Sequence, residues 1–189
     1  MGHKKILIVI GSPRKKGNSA ILANQVAKGA EAIGAEVESF FLQKLDIQPC
    51  MACETCREEG SKDCVIDDQM QILYPKLRAA DAVVIASPIY WFTISAQTKL
   101  FMDRCGGPEA RTNVIAGKNI GIVLTYGDTD PFTSGAINAL RTFQDTFNYI
   151  GARIVGMIYG SALKAGDIKK NRKLIKMAYE LGKQLYSAA

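Results

Sequence analysis

The sequence predicts an α/β protein, a doubly wound sandwich in which a five-stranded parallel sheet carries helices on both faces. Three observations lead there. Short, almost wholly apolar runs recur along the 189 residues, as strands buried on both faces require. Stretches with apolar residues at helical spacing separate them. The two kinds of segment alternate without internal repeats, low-complexity tracts or linkers, so residues 1–189 are expected to form a single domain.

Lys5 to Ile10 is the first strand, and the loop Gly11 to Gly17 leads into a helix from about Asn18 to Ile33 with Leu22, Val26, Ala30 and Ile33 on one face. Ala35 to Leu42 reads as the second strand, followed by a cysteine-rich insertion at about residues 45–66. Asp67 and Asp68 are expected to cap the next helix, whose stripe is Met70, Leu73, Leu77 and Ala80. Ala82 to Ala86 is a third strand ended by Ser87-Pro88, and a helix from about Ser95 to Arg104 follows, with a Lys99–Asp103 ion pair expected at i,i+4. Asn119 to Thr125 is the fourth strand. Ala136, Leu140, Phe143, Phe147 and Ile150 mark a helix, Arg153 to Ile158 the fifth strand, and Ile168 to Tyr186 the last helix. Five strands and five helices in this alternation make a flavodoxin-like sandwich with expected strand order 2-1-3-4-5.

Composition excludes several functions. The formal net charge of +6 could suggest nucleic acid, but Lys164, Lys169, Lys170, Arg172, Lys173, Lys176 and Lys183 lie in one C-terminal segment. There Leu174, Ala178, Leu181 and Leu185 recur at helical spacing, so the basic residues read as the wet face of a packed helix. No apolar run approaches the roughly 18–20 residues that span a bilayer, and no cleavage-site pattern follows Ile10, so neither a membrane segment nor a secretory leader is expected. Reduced thiols and a cytoplasmic location are expected from cysteines that crowd together rather than spread as a disulfide framework. The only histidine, His3, lies in the N-terminal tail, so a serine or cysteine hydrolase lacks its usual base.

Open parallel sheets bind ligands beyond the carboxyl ends of their strands. The first loop there, Gly11-Ser12-Pro13-Arg14-Lys15-Lys16-Gly17-Asn18-Ser19, runs into a helix N-terminus, where free N–H groups and the helix dipole attract an anion. Hydroxyls of Ser12 and Ser19, the Asn18 amide and the Arg14 fork are the candidate phosphate contacts. Five residues between Gly11 and Gly17, with Asn18 in the lysine position, exclude a nucleoside-triphosphatase loop, and G-x-G-x-x-G is missing. The second loop, Ser87-Pro88-Ile89-Tyr90-Trp91-Phe92, holds three adjacent aromatics that cannot all enter one core and would suit a planar ring. The third, Thr125-Tyr126-Gly127-Asp128-Thr129, is a polar turn at the same end.

Together, Ser12-Pro13-Arg14 through Asn18-Ser19, Pro88-Ile89-Tyr90-Trp91, Tyr126-Gly127 and the segment Lys99 to Arg104 resemble the NADPH-dependent FMN reductase branch of the flavodoxin-like superfamily along essentially the whole chain. The resemblance implies FMN held by Ser12, Arg14, Asn18, Ser19, Pro88, Ile89, Tyr90, Trp91, Phe92, Tyr126, Gly127 and Asp128. Flavin then carries the redox chemistry without a catalytic side chain, NAD(P)H serves as co-substrate, and a homodimer or homotetramer assembles.

Cys50, Cys53, Cys56 and Cys64 form a C-x2-C-x2-C-x7-C array. Three thiolates within seven residues can wrap one corner of a cubane while the fourth arrives after Gly60. Structural zinc, or an empty thiol loop, are the alternatives. The spacing is similar to that of iron-sulfur flavoproteins, which implies one [4Fe-4S] cluster beside the FMN and ferredoxin as partner. Without a cluster the resemblance implies an NAD(P)H:FMN or quinone reductase acting on a small-molecule electron acceptor. A non-catalytic binding protein with a zinc or thiol loop is the reading from another class. Cys105 matches no ligand pattern and reads as a small buried residue.

Overall fold

The computed structural model describes residues 3–58, 60, 64–106 and 113–188; residues 59 and 61–63 of the cysteine-rich segment lie outside them. Five parallel strands, β1 (Lys5–Ile10), β2 (Glu36–Phe41), β3 (Ala82–Tyr90), β5 (Asn119–Tyr126) and β6 (Arg153–Ser161), line up in the order β2-β1-β3-β5-β6. A two-residue strand, β4 (Thr93–Ile94), pairs antiparallel with the end of β3. Setting that short hairpin aside, the order is the expected one. Helices α1 (Asn18–Glu31), α2 (Met70–Ala79), α3 (Ala96–Asp103), α4 (Ala136–Tyr149) and α5 (Arg172–Ala188) fill the crossovers.

The pleat of β1 explains the two layers. Ile6, Ile8 and Ile10 point to one face, where they pack with Ala82, Val84 and Val123 under α1 and α5. Leu7 and Val9 point to the other, joining Val83, Ile85, Ile122 and Leu124 under α2, α3 and α4. Central strands buried on both faces can therefore be apolar at every position. β2 and β6, at the sheet edges, are only partly covered.

Three of the boundaries that differ from expectation have a clear local reason. β3 runs past Ala86 through Pro88 to Tyr90; β1 ends opposite Ala86, and with that edge unpaired a proline lacking its N–H is tolerated. α2 starts at Met70 rather than at the aspartates, because Asp67 makes no cap and Asp68 divides its carboxylate between the Met70 N–H and partners outside the helix. The last helix is split: a 3-10 turn at Asp167–Lys170 precedes Asn171, whose side chain accepts from the Leu174 N–H at 3.0 Å and caps α5. On α5 the buried residues are Leu174, Ala178, Leu181, Gly182 and Leu185, which leaves the basic residues outward as expected. Among the described residues no helix is long and apolar enough to cross a membrane.

α1 and α5 cross at two glycines. A Cβ on Gly29 would sit 1.9 Å from the Tyr179 carbonyl oxygen, and one on Gly182 2.0 Å from that of Val26. Backbone, not side chains, makes this contact, so Gly182→Ala must force the helices apart. We expect it to lower the urea-unfolding free energy by about 1–3 kcal/mol, the usual range for overpacking.

Candidate functional site

Four loops meet at the carboxyl ends of β1, β3, β5 and β6. Buried hydroxyls tie the first two together. The Ser95 Oγ donates to the Gly11 carbonyl at 2.9 Å and accepts from the Thr98 N–H, capping α3. Its own N–H donates to the Ser87 Oγ at 3.0 Å, and that hydroxyl donates to the Pro88 carbonyl. Gly11 is needed here because a Cβ would lie 1.9 Å from the Thr98 Oγ1. Sequence reasoning reached Ser95 only as a helix start; a serine at an N-cap was the one signal available.

Above this floor is a cleft of about 230 Å³ lined by Ser12, Arg14 and Gly17–Ser19 from the first loop, Pro88–Tyr90 from the second and Thr125–Gly127 from the third. Ala162, Leu163 and Ala165, after β6, make a fourth wall that the sequence reading missed. The strand-end rule alone could have pointed to it.

The first-loop end of the cleft gathers unpaired hydrogen-bond donors. Gly17 at the N-cap of α1 offers no side-chain cap, and the N–H groups of Asn18, Ser19 and Ala20 carry no hydrogen bond among the described residues. Ser19, 1% exposed, holds a hydroxyl with no partner. Leaving a buried hydroxyl unsatisfied costs about 1–3 kcal/mol. A Cβ on Gly17 would come within 2.7 Å of the Ser12 Oγ and close the loop. Arg14 is exposed at the rim.

Two of the expected contact residues have side chains bonded to other parts of the chain. The Ser12 hydroxyl is engaged within its own loop, with the N–H and carbonyl of Arg14. The Asn18 side chain is engaged by the segment after β6. Its Nδ2 donates to the Ala162 and Lys164 carbonyls at 3.0 Å each, and its Oδ1 accepts from the N–H groups of Gly166 and Ile168 at 2.9 and 3.3 Å. All of its side-chain hydrogen bonds hold the fourth wall and the residues that follow it.

The aromatic bend is a two-residue hairpin. Tyr90 pairs with Thr93, and both residues between have positive φ, +47° at Trp91 and +64° at Phe92. Such turns normally take Asn or Gly; a bulky residue there costs about 1–3 kcal/mol. The strain is held by α4. Asn138 donates to the Phe92 carbonyl at 3.1 Å, and Gly135 leaves space that its Cβ, 2.4 Å from that of Phe92, would fill. Pro88, Ile89 and Tyr90 line the cleft, whereas Trp91, Phe92 and Asp128 line an adjoining shallow depression that shares Ile89, Tyr126 and Gly127 with it. Trp91 is 90% exposed. Burial, then the neighbouring Tyr159 and Asp130, push the Tyr126 hydroxyl above its ordinary pKa.

In the cysteine segment, Cys50 and Cys53 are exposed, Cys56 and Cys64 half-buried, and none is in a disulfide. Positive φ at Ala52 and Glu54 bends the chain between them. Burial raises the Cys56 thiol, with Cys64, Cys50 and Cys53 adding to it in that order, so one sulfur feels all three others. The Thr55 N–H and hydroxyl lower Cys53. Among the described residues no three ligating side chains are close enough to share a single metal ion, which is the arrangement tetrahedral zinc requires. Four thiolates around a cubane stand farther apart than four around one ion.

Both ends of this segment are fastened to Arg104, which follows α3 and is 1% exposed. Its guanidinium donates to the Gln48 carbonyl at 2.7 Å, to both Asp68 oxygens at 2.5 and 3.3 Å, and to the Ile66 carbonyl at 3.4 Å. Burial pushes the Asp68 carboxyl up, but the guanidinium and the N–H groups of Gln48 and Met70 together hold it below its ordinary value of 3.8. Cys105 is buried, its thiol raised by burial and donating to the Phe101 carbonyl. Lys99 and Asp103 form the expected ion pair at 2.6 Å.

The model of the family described as NADPH-dependent FMN reductase matches residues 4–167. The chain is 32% identical over 152 residues to a protein named iron-sulfur flavoprotein from Methanosarcina thermophila, covering 80% of this chain and 77% of that one. It is 35% identical over 122 residues to an iron-sulfur flavoprotein of Archaeoglobus fulgidus, covering 65% of this chain but only about half, 54%, of that relative. In fold it is similar to an NAD(P)H:quinone oxidoreductase from Methanothermobacter marburgensis, with a TM-score of 0.77, 18% identity and coverage of 97% and 98% of the two chains.

Two predictions follow from this geometry. Asn18→Ala should speed hydrogen exchange at the Gly166 and Ile168 N–H groups by at least about tenfold, since each loses its acceptor, while the β1 amides keep their protection. Asp68→Asn leaves Arg104 buried and unpaired, so it should cost about 3–5 kcal/mol at pH 7 in urea unfolding. Because the folded carboxyl lies below its ordinary value, that contribution is present above pH 3.8 and lost as pH falls through the lowered value. The difference between wild type and Asp68→Asn should therefore shrink in acid.

Proposed function

This chain belongs to the NADPH-dependent FMN reductase family, and from that premise we propose that it is an oxidoreductase whose cleft holds FMN by its phosphate at the N-terminus of α1. The observation that carries this reading is the Ser19 hydroxyl, buried and unpartnered beside three unbonded N–H groups. A phosphate would satisfy all of them at once, and Arg14 at the rim can close over it with a charge-assisted fork. The ring system would lie along Pro88–Tyr90 and Tyr126–Gly127, a surface of backbone and flat side chains.

When bound, FMN supplies both hydride and single-electron chemistry. The chain's own work is to hold, orient and dry it. Ser95 fixes the distance between phosphate loop and aromatic bend. Asn18 keeps the wall of Ala162–Ala165 upright, and the strained Trp91-Phe92 turn borders the depression from which a second ring could stack. Within this reading NAD(P)H and a small-molecule acceptor would use that depression in turn, in a cytoplasmic dimer or tetramer.

We further propose that Cys50, Cys53, Cys56 and Cys64 hold one [4Fe-4S] cluster and exchange single electrons with a ferredoxin. The C-x2-C-x2-C-x7-C spacing, the coupling of Cys56 to all three other thiols and the names of the similar archaeal proteins support this reading. The second reading, a cluster-free NAD(P)H:FMN or quinone reductase, draws on the exposure of Cys50 and Cys53 and on the name of the M. marburgensis neighbour.

Titrating apo-protein with FMN and with riboflavin tests the cleft. Ser19→Ala and Arg14→Ala should each weaken FMN about 10–100-fold, the worth of one hydrogen bond to a charged group, and leave riboflavin unchanged. Equal weakening of both ligands, or of neither, would overturn the phosphate assignment; Lys176→Ala should do nothing. After anaerobic purification, about four iron and four sulfide per chain are expected, and Cys56→Ser should lose them while retaining FMN. A yellow, iron-free wild type would leave the cluster-free reductase.

A further inference from the structure

Arg104 is an expensive residue to keep. Burying a guanidinium and its carboxylate in the interior costs more in lost hydration than their attraction returns unless geometry is favourable, and apolar replacements of such pairs are often neutral or stabilising. Its value has to come from what it joins. The two carbonyls it bonds lie symmetrically about the cysteine array: Gln48 is two residues before Cys50, and Ile66 two residues after Cys64. One planar head group thus closes both ends of the segment, and Asp68 locks it by accepting from both of its terminal nitrogens.

Neighbouring bonds repeat the closure. Gln71 Nε2 donates to the Cys64 and Ile66 carbonyls at 2.8 Å each, the Gln48 N–H donates to Asp68, and the Asp46 N–H donates to the Gln69 side chain. The Arg104 Nε is buried without a partner, one donor beyond what the closure uses. The residue also sits at the far end of α3 from Ser95, whose hydroxyl sets the floor of the cleft. Eight helical residues, about 12 Å at 1.5 Å each, separate the two anchors.

We infer that Arg104 is the positioning residue of the cysteine array, clamping its two ends and so fixing the span across which the four thiolates are presented. This rests on the cluster reading above. The physical basis is that residues orienting metal ligands typically govern affinity by about 10–100-fold.

The test compares wild type, Arg104→Lys and the double variant Arg104→Met/Asp68→Leu, all reconstituted anaerobically with ferrous iron and sulfide. Lysine keeps the charge without the fork; the double variant removes the pair together, so no lone buried charge unfolds the chain. FMN content and melting temperature report on the fold, iron release to a chelator reports on the clamp, and the EPR signal of the reduced cluster reports on its integrity. Both variants should retain FMN and release iron about 10–100-fold faster than wild type. Wild-type iron release in both variants would overturn the clamp. Parallel loss of FMN and iron would also overturn it, since that marks a structural role for the whole fold. A wild type that takes up no iron at all would refute the cluster reading itself, and the inference with it.

Discussion

The hydrogen bond from the Ser95 hydroxyl to the Gly11 carbonyl, 2.9 Å long and wholly buried, is the contact on which the rest of the site depends. It joins the end of β1 to the start of α3, two segments far apart in sequence. Serine suits the position because one short hydroxyl can cap a helix, donate across to a neighbouring strand and remain satisfied in the interior. With Ser87 and Thr98 it makes a polar seam through an otherwise apolar sheet end. Anion loop and aromatic bend are consequently parts of one rigid surface, not two loops that happen to be near.

α3 extends that rigidity. Its first residues are bonded into the cleft floor and the residue after its last turn holds the cysteine segment, so one short helix spans both regions. The two ends differ in kind. At the cleft, backbone N–H groups and a hydroxyl are unpaired; at the cysteine segment, a buried cation is paired with a carboxylate and two carbonyls. The first site therefore keeps its donors unpaired, whereas the second is organised around an internal ion pair.

Much of this was legible in the sequence. Strand order followed from alternation and apolar runs, and the loops at the carboxyl ends followed from topology, because both depend on patterns summed over many residues. What could not be read was the partner each polar group chooses. Asn18 is a good N-terminal residue by type, yet its side chain reaches residues more than 140 positions away. Asp68 is a plausible cap, yet it lies one residue before the N-cap and shares its carboxylate among the Met70 N–H, the Gln48 N–H and Arg104. Trp91 and Phe92 occupy backbone conformations their side chains disfavour, so no propensity rule predicts the hairpin; only Gly135 and Asn138, held by α4, make it tolerable. The cysteine spacing was plain from the sequence, while the bonds that fasten its two ends were not.

The hairpin has one more consequence. Trp91 is the only tryptophan in the chain, and it projects at the rim of the depression with 90% of its surface open. Its indole is thus a natural optical probe: emission should begin red-shifted, as for a fully hydrated ring, and any body that settles over the depression must dim it or move it to the blue. The molecule reports the occupancy of its own doorway without a label.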